Sequence, residues 1–152
     1  MSVAAKIAEL GIQIPLVPKP QAAYVPAVRI GGFVYTSGQL PMQNGELKYE
    51  GKVGASISVE QGYEAARLCA INCLAAVNSV SNVEDIQQVV KVTGFVNSAA
   101  GFSGQPAVMN GASELLVSIF GDAGCHARSA IGMAELPRNA AVEVEMIFKI
   151  KE

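Results

Sequence analysis

Hydrophobic positions along this chain switch between a spacing of two and a spacing of three to four, and the switches divide it into elements. Residues 2 to 10 carry a short amphipathic pattern that predicts a helix. Gly11 and then Pro15, Pro18 and Pro20 follow, enforcing an extended connection up to Tyr24. Residues 1–21 therefore read as an N-terminal arm on one domain spanning 1–152. Next, Ala27–Ile30 and Phe33–Ser37 flank Gly31-Gly32, a connection suited to a tight hairpin because glycine takes positive φ without strain.

Gly38 and Pro41 end that hairpin, and a polar stretch through Asn44-Gly45 and Gly51-Lys52 leads to a long helix predicted over 59–79. Val59, Tyr63, Ala66, Ala70, Cys73, Leu74 and Val77 share one of its faces. A strand is expected over 89–96, a loop over 101–106 and a second helix over 107–120, closed by Gly121 and Gly124. Two strands, 127–135 and 142–150, complete the chain around the turn Leu136-Pro137-Arg138-Asn139. The order ββαβαββ predicts an α+β fold, a mixed sheet with both helices on one face. The face left open is large enough to expect a partner, and a second copy of the chain is the simplest one.

Composition narrows the class of protein without changing this outline. With 51% hydrophobic and 16% charged residues, the 152-residue chain can build one sizeable core. No apolar run reaches the roughly 18–20 residues needed to span a bilayer, and Lys6 and Glu9 interrupt the apolar start, unlike a secretory signal. Cys69, Cys73 and Cys125 form neither a disulfide framework nor a paired zinc motif, which fits a reducing, cytoplasmic setting. The net charge of −2 is scattered, without a Lys/Arg cluster, and argues against a dedicated nucleic-acid binder.

Candidate chemistry concentrates in the last third. On a strand over 127–135, Arg128 shares its face with Ala130 and Gly132, an arginine flanked by small residues and so facing a hollow. A guanidinium there can hold a carboxylate through two parallel hydrogen bonds, each worth about 1.5–3 kcal/mol; a structural salt bridge is the plainer use. Glu143 and Glu145 share a face of the final strand, opposite Val142, Val144, Met146, Phe148 and Ile150. They can position a water or move a proton, or simply decorate a solvated face. His126, the single histidine, can act alone as a base or cap the strand entry. Cys69 and Cys73, one helical turn apart, read as core thiols, and no metal site is expected. Phosphate loops, GxGxxG turns and GxSxG elbows are absent from the sequence, so nucleotide cofactors and serine-hydrolase chemistry have no support.

Several segments together resemble one family. Tyr35-Thr36-Ser37-Gly38-Gln39-Leu40-Pro41 is similar to its "TSGQ-P" strand end. His126-Ala127-Arg128-Ser129, Leu136-Pro137 and Val142-Glu143-Val144-Glu145 resemble its "ARS…LP…VEIE" signature, and Val90–Val96 and Val108-Met109-Asn110 resemble its middle strand and second helix. The family is Rid (reactive intermediate deaminase, YjgF-like, also called endoribonuclease L-PSP-like), and the likeness spans about residues 22–150. It implies a chorismate-mutase-like fold, a homotrimer whose sheets face inward, and sites between subunits. The implied reaction is hydrolysis of 2-aminoacrylate, 2-iminopropionate or related enamines and imines to a 2-keto acid and ammonia, without a cofactor. By motif position, Arg128 would clamp the carboxylate and Glu143 would help position the attacking water. Tyr24, Gly38, Asn110 and the backbone of Ala130 would line the site. Ala130 stands where better-known members often carry cysteine, and the N-terminal arm is longer than theirs. A non-catalytic binder of small carboxylates or keto acids uses the same arginine, and some members carry an endoribonuclease or translation-inhibitor label.

Overall fold

The computed structural model describes residues 1–17 and 22–152, so Pro18 and Pro20 of the expected extended connection lie outside it. Helix α1 (Val3–Glu9) is started by Ser2, whose hydroxyl accepts from the Ala5 amide. The Glu84 carboxylate takes the Val3 and Ala4 amides, a negative charge set against a helix N-terminus. With Ile7 and Ile12 buried, the first part of the arm is docked on the domain.

Strands β1 (Ala27–Ile30) and β2 (Phe33–Thr36) form the expected hairpin. The polar stretch after it folds into a second, small hairpin, β3 (Met42–Gln43) and β4 (Glu46–Leu47). Asn44 and Gly45 both take positive φ, the turn chemistry that an Asn-Gly pair supplies. Helix α2 (Val59–Val77) opens with a reciprocal cap between Ser58 and Gln61 and stops two residues before its expected end. Helix α3 (Gln105–Phe120) starts two residues before its expected start, because Pro106 sits in the first turn, where a missing N–H costs nothing.

Strand β5 (Ile86–Asn97) is longer than its alternation suggested. Register shifts at Gln88 and near Val89–Lys91 break the period of two that marks a strand in sequence. Strand β6 (Ala127–Met133) ends two residues early, where Lys52 bonds the Ala134 carbonyl and pairs with Glu135 at 3.7 Å. Strand β7 (Val142–Ile150) has its expected bounds. The main sheet runs β1-β2-β7-β5-β6, antiparallel except for the parallel β5–β6 pair, and is therefore mixed.

Helices α2 and α3 pack together and cover one face of this sheet. Val34, Val92, Val96, Val144, Met146, Phe148 and Ile150 point under them and are buried. The two helices approach closely at Gly111, where a Cβ would land on the Tyr63 backbone carbonyl. The opposite face carries no element of the described chain. Its cross-strand rows run Val28–Tyr35–Ile147–Lys91 and Glu143–Phe95–Ile131, with Val28, Tyr35 and Ile131 exposed at 45%, 45% and 41%. A shallow depression of about 120 Å³ lies in it between Tyr35, Lys91, Thr93, Glu145 and Ile147.

Candidate functional site

Strand β6 is the edge of the sheet, and its parallel register on β5 decides where Arg128 goes. Arg128 lies opposite Val92, which lies opposite Met146, and both of those point under the helices. The guanidinium therefore rises beside α3, where Asn110 and Ser113 stand one turn apart on the helix face it meets. Arg128 Nη1 donates to Asn110 Oδ1 at 2.9 Å and to Ser113 Oγ at 3.2 Å. The small neighbours expected to leave a hollow instead admit α3. A Cβ on Gly94, opposite Ala130, would land on Met109, and one on Gly132 would crowd Gln105.

Arg128 is half-buried, and its guanidinium has no carboxylate partner in the described chain. The ion pairs among the described residues are Lys6–Glu9, Lys48–Glu46 and Lys52–Glu135. A structural salt bridge, the plainer use of this arginine, is therefore not formed among the described residues. A charged fork held on one side by neutral acceptors is arranged to take an anion.

His126 belongs to the same cluster, a link that the sequence did not reveal. Its Nδ1 lies 2.6 Å from the Gly124 carbonyl, which can only accept, so Nδ1 carries the proton. In the neutral ring Nε2 is then an acceptor, and it lies 2.9 Å from Ser113 Oγ. The serine hydroxyl donates to His126 while accepting from Arg128. Burial pushes the imidazole below its ordinary value, the Gly124 bond opposes that, and the Arg128 charge reinforces it. Ser113 belongs to no motif in the sequence; the signal that marks it is its spacing of three from Asn110 on a helix.

Glu143 lies elsewhere. Its register partner is Phe95, whose neighbour on β6 is Ile131, so its side chain leaves the open face of the sheet. Gly38 lies against it, and a Cβ there would meet the Glu143 carboxylate, so any side chain at that position would have to displace the glutamate. Burial, and then repulsion from Glu145, raise the carboxyl above its usual range. Tyr24, three residues before β1, is 62% exposed. The chain thus gathers Arg128, Asn110 and Ala130 in one place and Gly38 with Glu143 in another, on opposite faces of one sheet. Cys69 and Cys73 are core thiols, bonded to the Val142 and Val144 carbonyls, with burial pushing Cys73 up to about 12. Among the described residues, no helix is long and apolar enough to cross a membrane.

The family model described as "YjgF/chorismate_mutase-like, putative endoribonuclease" matches residues 4–150. Protein TCP17 of Trypanosoma cruzi is 40% identical over 150 residues, covering 97% of this chain and 94% of its own. A 2-iminobutanoate/2-iminopropanoate deaminase of Dermatophagoides farinae is 34% identical over 140 residues, covering 92% and 95%. Among solved structures, the Agrobacterium tumefaciens protein Atu1372, of unknown function, superposes with a TM-score of 0.91 at 41% identity over 99% of this chain and 94% of its own. Escherichia coli TdcF with bound serine superposes with a TM-score of 0.60 at 28% identity over 91% and 93%. This chain belongs to the YjgF/chorismate mutase-like family, the Rid grouping that its motifs resemble.

Proposed function

We propose that this protein is a deaminase that hydrolyses 2-imino and 2-enamino acids, such as 2-iminopropionate and 2-aminoacrylate, to 2-keto acids and ammonia. The observation that carries the reading is Arg128: a half-buried guanidinium, held by Asn110 and Ser113, with no carboxylate among the described residues to neutralise it. A small acid's carboxylate supplies that charge and that fork geometry. The relatives named above add an imine deaminase and a serine-bound protein, both handling amino- or imino-acid ligands.

In the proposed reaction, water adds to the electrophilic imine carbon, the C–N bond breaks, and ammonia leaves as the carbonyl forms. Orientation supplies most of what is needed, because the carbon is already activated. Glu143, its carboxyl raised above the ordinary range by burial and then by Glu145, takes the proton from the attacking water. Tyr24, Gly38 and the Ala130 backbone would line the substrate site. Within one chain Arg128 and Glu143 leave opposite sheet faces, so a site using both needs a second copy. That requirement favours a homotrimer with its open sheet faces inward and its sites between subunits.

The test is keto-acid release from 2-iminopropionate generated in situ by an amino-acid oxidase. Wild type should accelerate it and Arg128→Ala should not; a well-folded wild type without turnover that still binds keto acids would make the protein a carboxylate binder. An RNase reading has less support, since the single histidine is occupied by Gly124 and Ser113 and has no second acid–base partner.

A further inference from the structure

Resting on the carboxylate-clamp reading of Arg128, we infer that Ser113 and His126 are positioning residues that fix which edge of the guanidinium meets the substrate. Guanidinium carries five N–H donors, two of them on Nη1. Both Nη1 donors are committed to α3, one to Asn110 Oδ1 at 2.9 Å and one to Ser113 Oγ at 3.2 Å. Nε and Nη2 have no acceptor among the described residues. The edge left for a carboxylate is therefore the side-on fork of Nε and Nη2, and its direction is set by whatever anchors Nη1.

The anchor is itself oriented. A serine hydroxyl on a helix surface rotates freely unless something takes its proton, and a rotor aimed at Arg128 would repel it. His126 removes that freedom. Its Nδ1–H is tied to the Gly124 carbonyl at 2.6 Å, which leaves Nε2 bare, 2.9 Å from Ser113 Oγ. The hydroxyl proton points to His126, so a lone pair points to Arg128. The relay from the Gly124 carbonyl through His126 and Ser113 to Arg128 thus spans the turn after α3, α3 itself and the edge strand. It gives the lone histidine a role in a chain with no second histidine to form an acid–base pair.

Other polar and charged groups near the relay do not replace it. On α3, Glu114 is taken by the Tyr63 hydroxyl; on β5, Gln88 bonds the Cys125 carbonyl and Lys91 turns to Ser129 on the other sheet face. Asp122 lies in the turn after α3 and bonds the Cys125 amide through its backbone carbonyl.

The test compares wild type, Ser113→Ala, Ser113→Thr and His126→Ala in two assays: turnover of 2-iminopropionate, and calorimetric binding of 2-oxobutanoate, which needs no turnover. Ser113→Ala and His126→Ala should each raise KM and the 2-oxobutanoate Kd in parallel, about tenfold for Ser113→Ala, the loss of one charge-assisted bond. kcat should change much less, because the carboxylate contact is made alike in ground and transition states. Ser113→Thr, which keeps the hydroxyl, should restore both constants. Should the wild type bind 2-oxobutanoate without turning over the imine, a Kd that rises in Ser113→Ala still supports the relay while the deaminase reading falls. Unchanged KM and Kd in Ser113→Ala would overturn it, as would equal losses in the Ala and Thr variants accompanied by a lowered melting temperature, or a wild type that neither turns over the imine nor binds 2-oxobutanoate.

Discussion

Arg128 and Glu143 pose opposite problems to the fold. Arg128 is always charged and finds neutral acceptors, so among the described residues the fold keeps a cation that no carboxylate neutralises. Removing it should lower kcat/KM for 2-iminopropionate by two orders of magnitude or more, as expected for two charge-assisted bonds of about 1.5–3 kcal/mol each. Arg128→Lys should recover only a small part, since an ammonium cannot offer a planar fork. Glu143 is raised by burial first and Glu145 second, so folding favours its protonated form. The stabilisation from that preference is complete below the ordinary value of 4.5 and is lost as pH rises through the raised folded value. Glu143→Gln should therefore melt at a higher temperature than wild type near pH 7, with the difference closing below about pH 4 in thermal melts. It should do so while losing turnover, the expected cost of a functional carboxylate held in an unfavourable place.

At the scale of elements, the close crossing of α2 and α3 is the feature with the least slack. Gly111→Ala would drive a methyl into the Tyr63 carbonyl, backbone that cannot rotate aside, and should destabilise by about 1–3 kcal/mol in denaturant melts. The elements themselves were largely legible in the sequence: β7 buries every second residue and so prints its period, and α2 is capped at Ser58 and keeps its charged residues to its first half even though its second half is buried all round. What was not legible has local causes. Pro106 reads as a breaker but sits in the first turn of α3; the Gln87-Gln88 irregularity hides the start of β5; and Asn44-Gly45 was passed over as a connection although that pair is a hairpin signal. The candidate site was legible only in part. Arg128 and Asn110 appear by motif and meet in space; Ser113 shares a helix face with Asn110 by its spacing of three, whereas the tie to His126 depends on how α3 docks on β6, which no local pattern encodes.

On the scale of the whole molecule, the bare sheet face and the divided site point the same way. Val28, Phe33, Tyr35 and Ile131 are exposed on one face of a sheet whose other face packs under α2 and α3, and a run of exposed apolar side chains of that kind marks a surface for a partner. Light scattering should give a mass three times that of the 15.8 kDa chain. Ile147→Glu, in the middle of that face, should yield a folded, smaller species with its deaminase activity lost, because Arg128 of one copy no longer meets Glu143 of another. A trimer that survived this change with full activity would place the contact elsewhere.

The central claim is that Arg128 clamps the carboxylate of an imino acid for hydrolysis. Its most direct test is ammonia and keto-acid release from 2-iminopropionate formed in situ, with wild type, Arg128→Ala and Glu143→Ala side by side. The account predicts acceleration by wild type, none by Arg128→Ala, and a strong loss in Glu143→Ala at unchanged fold. Equal acceleration by wild type and Arg128→Ala, or none by a well-folded wild type, would contradict it.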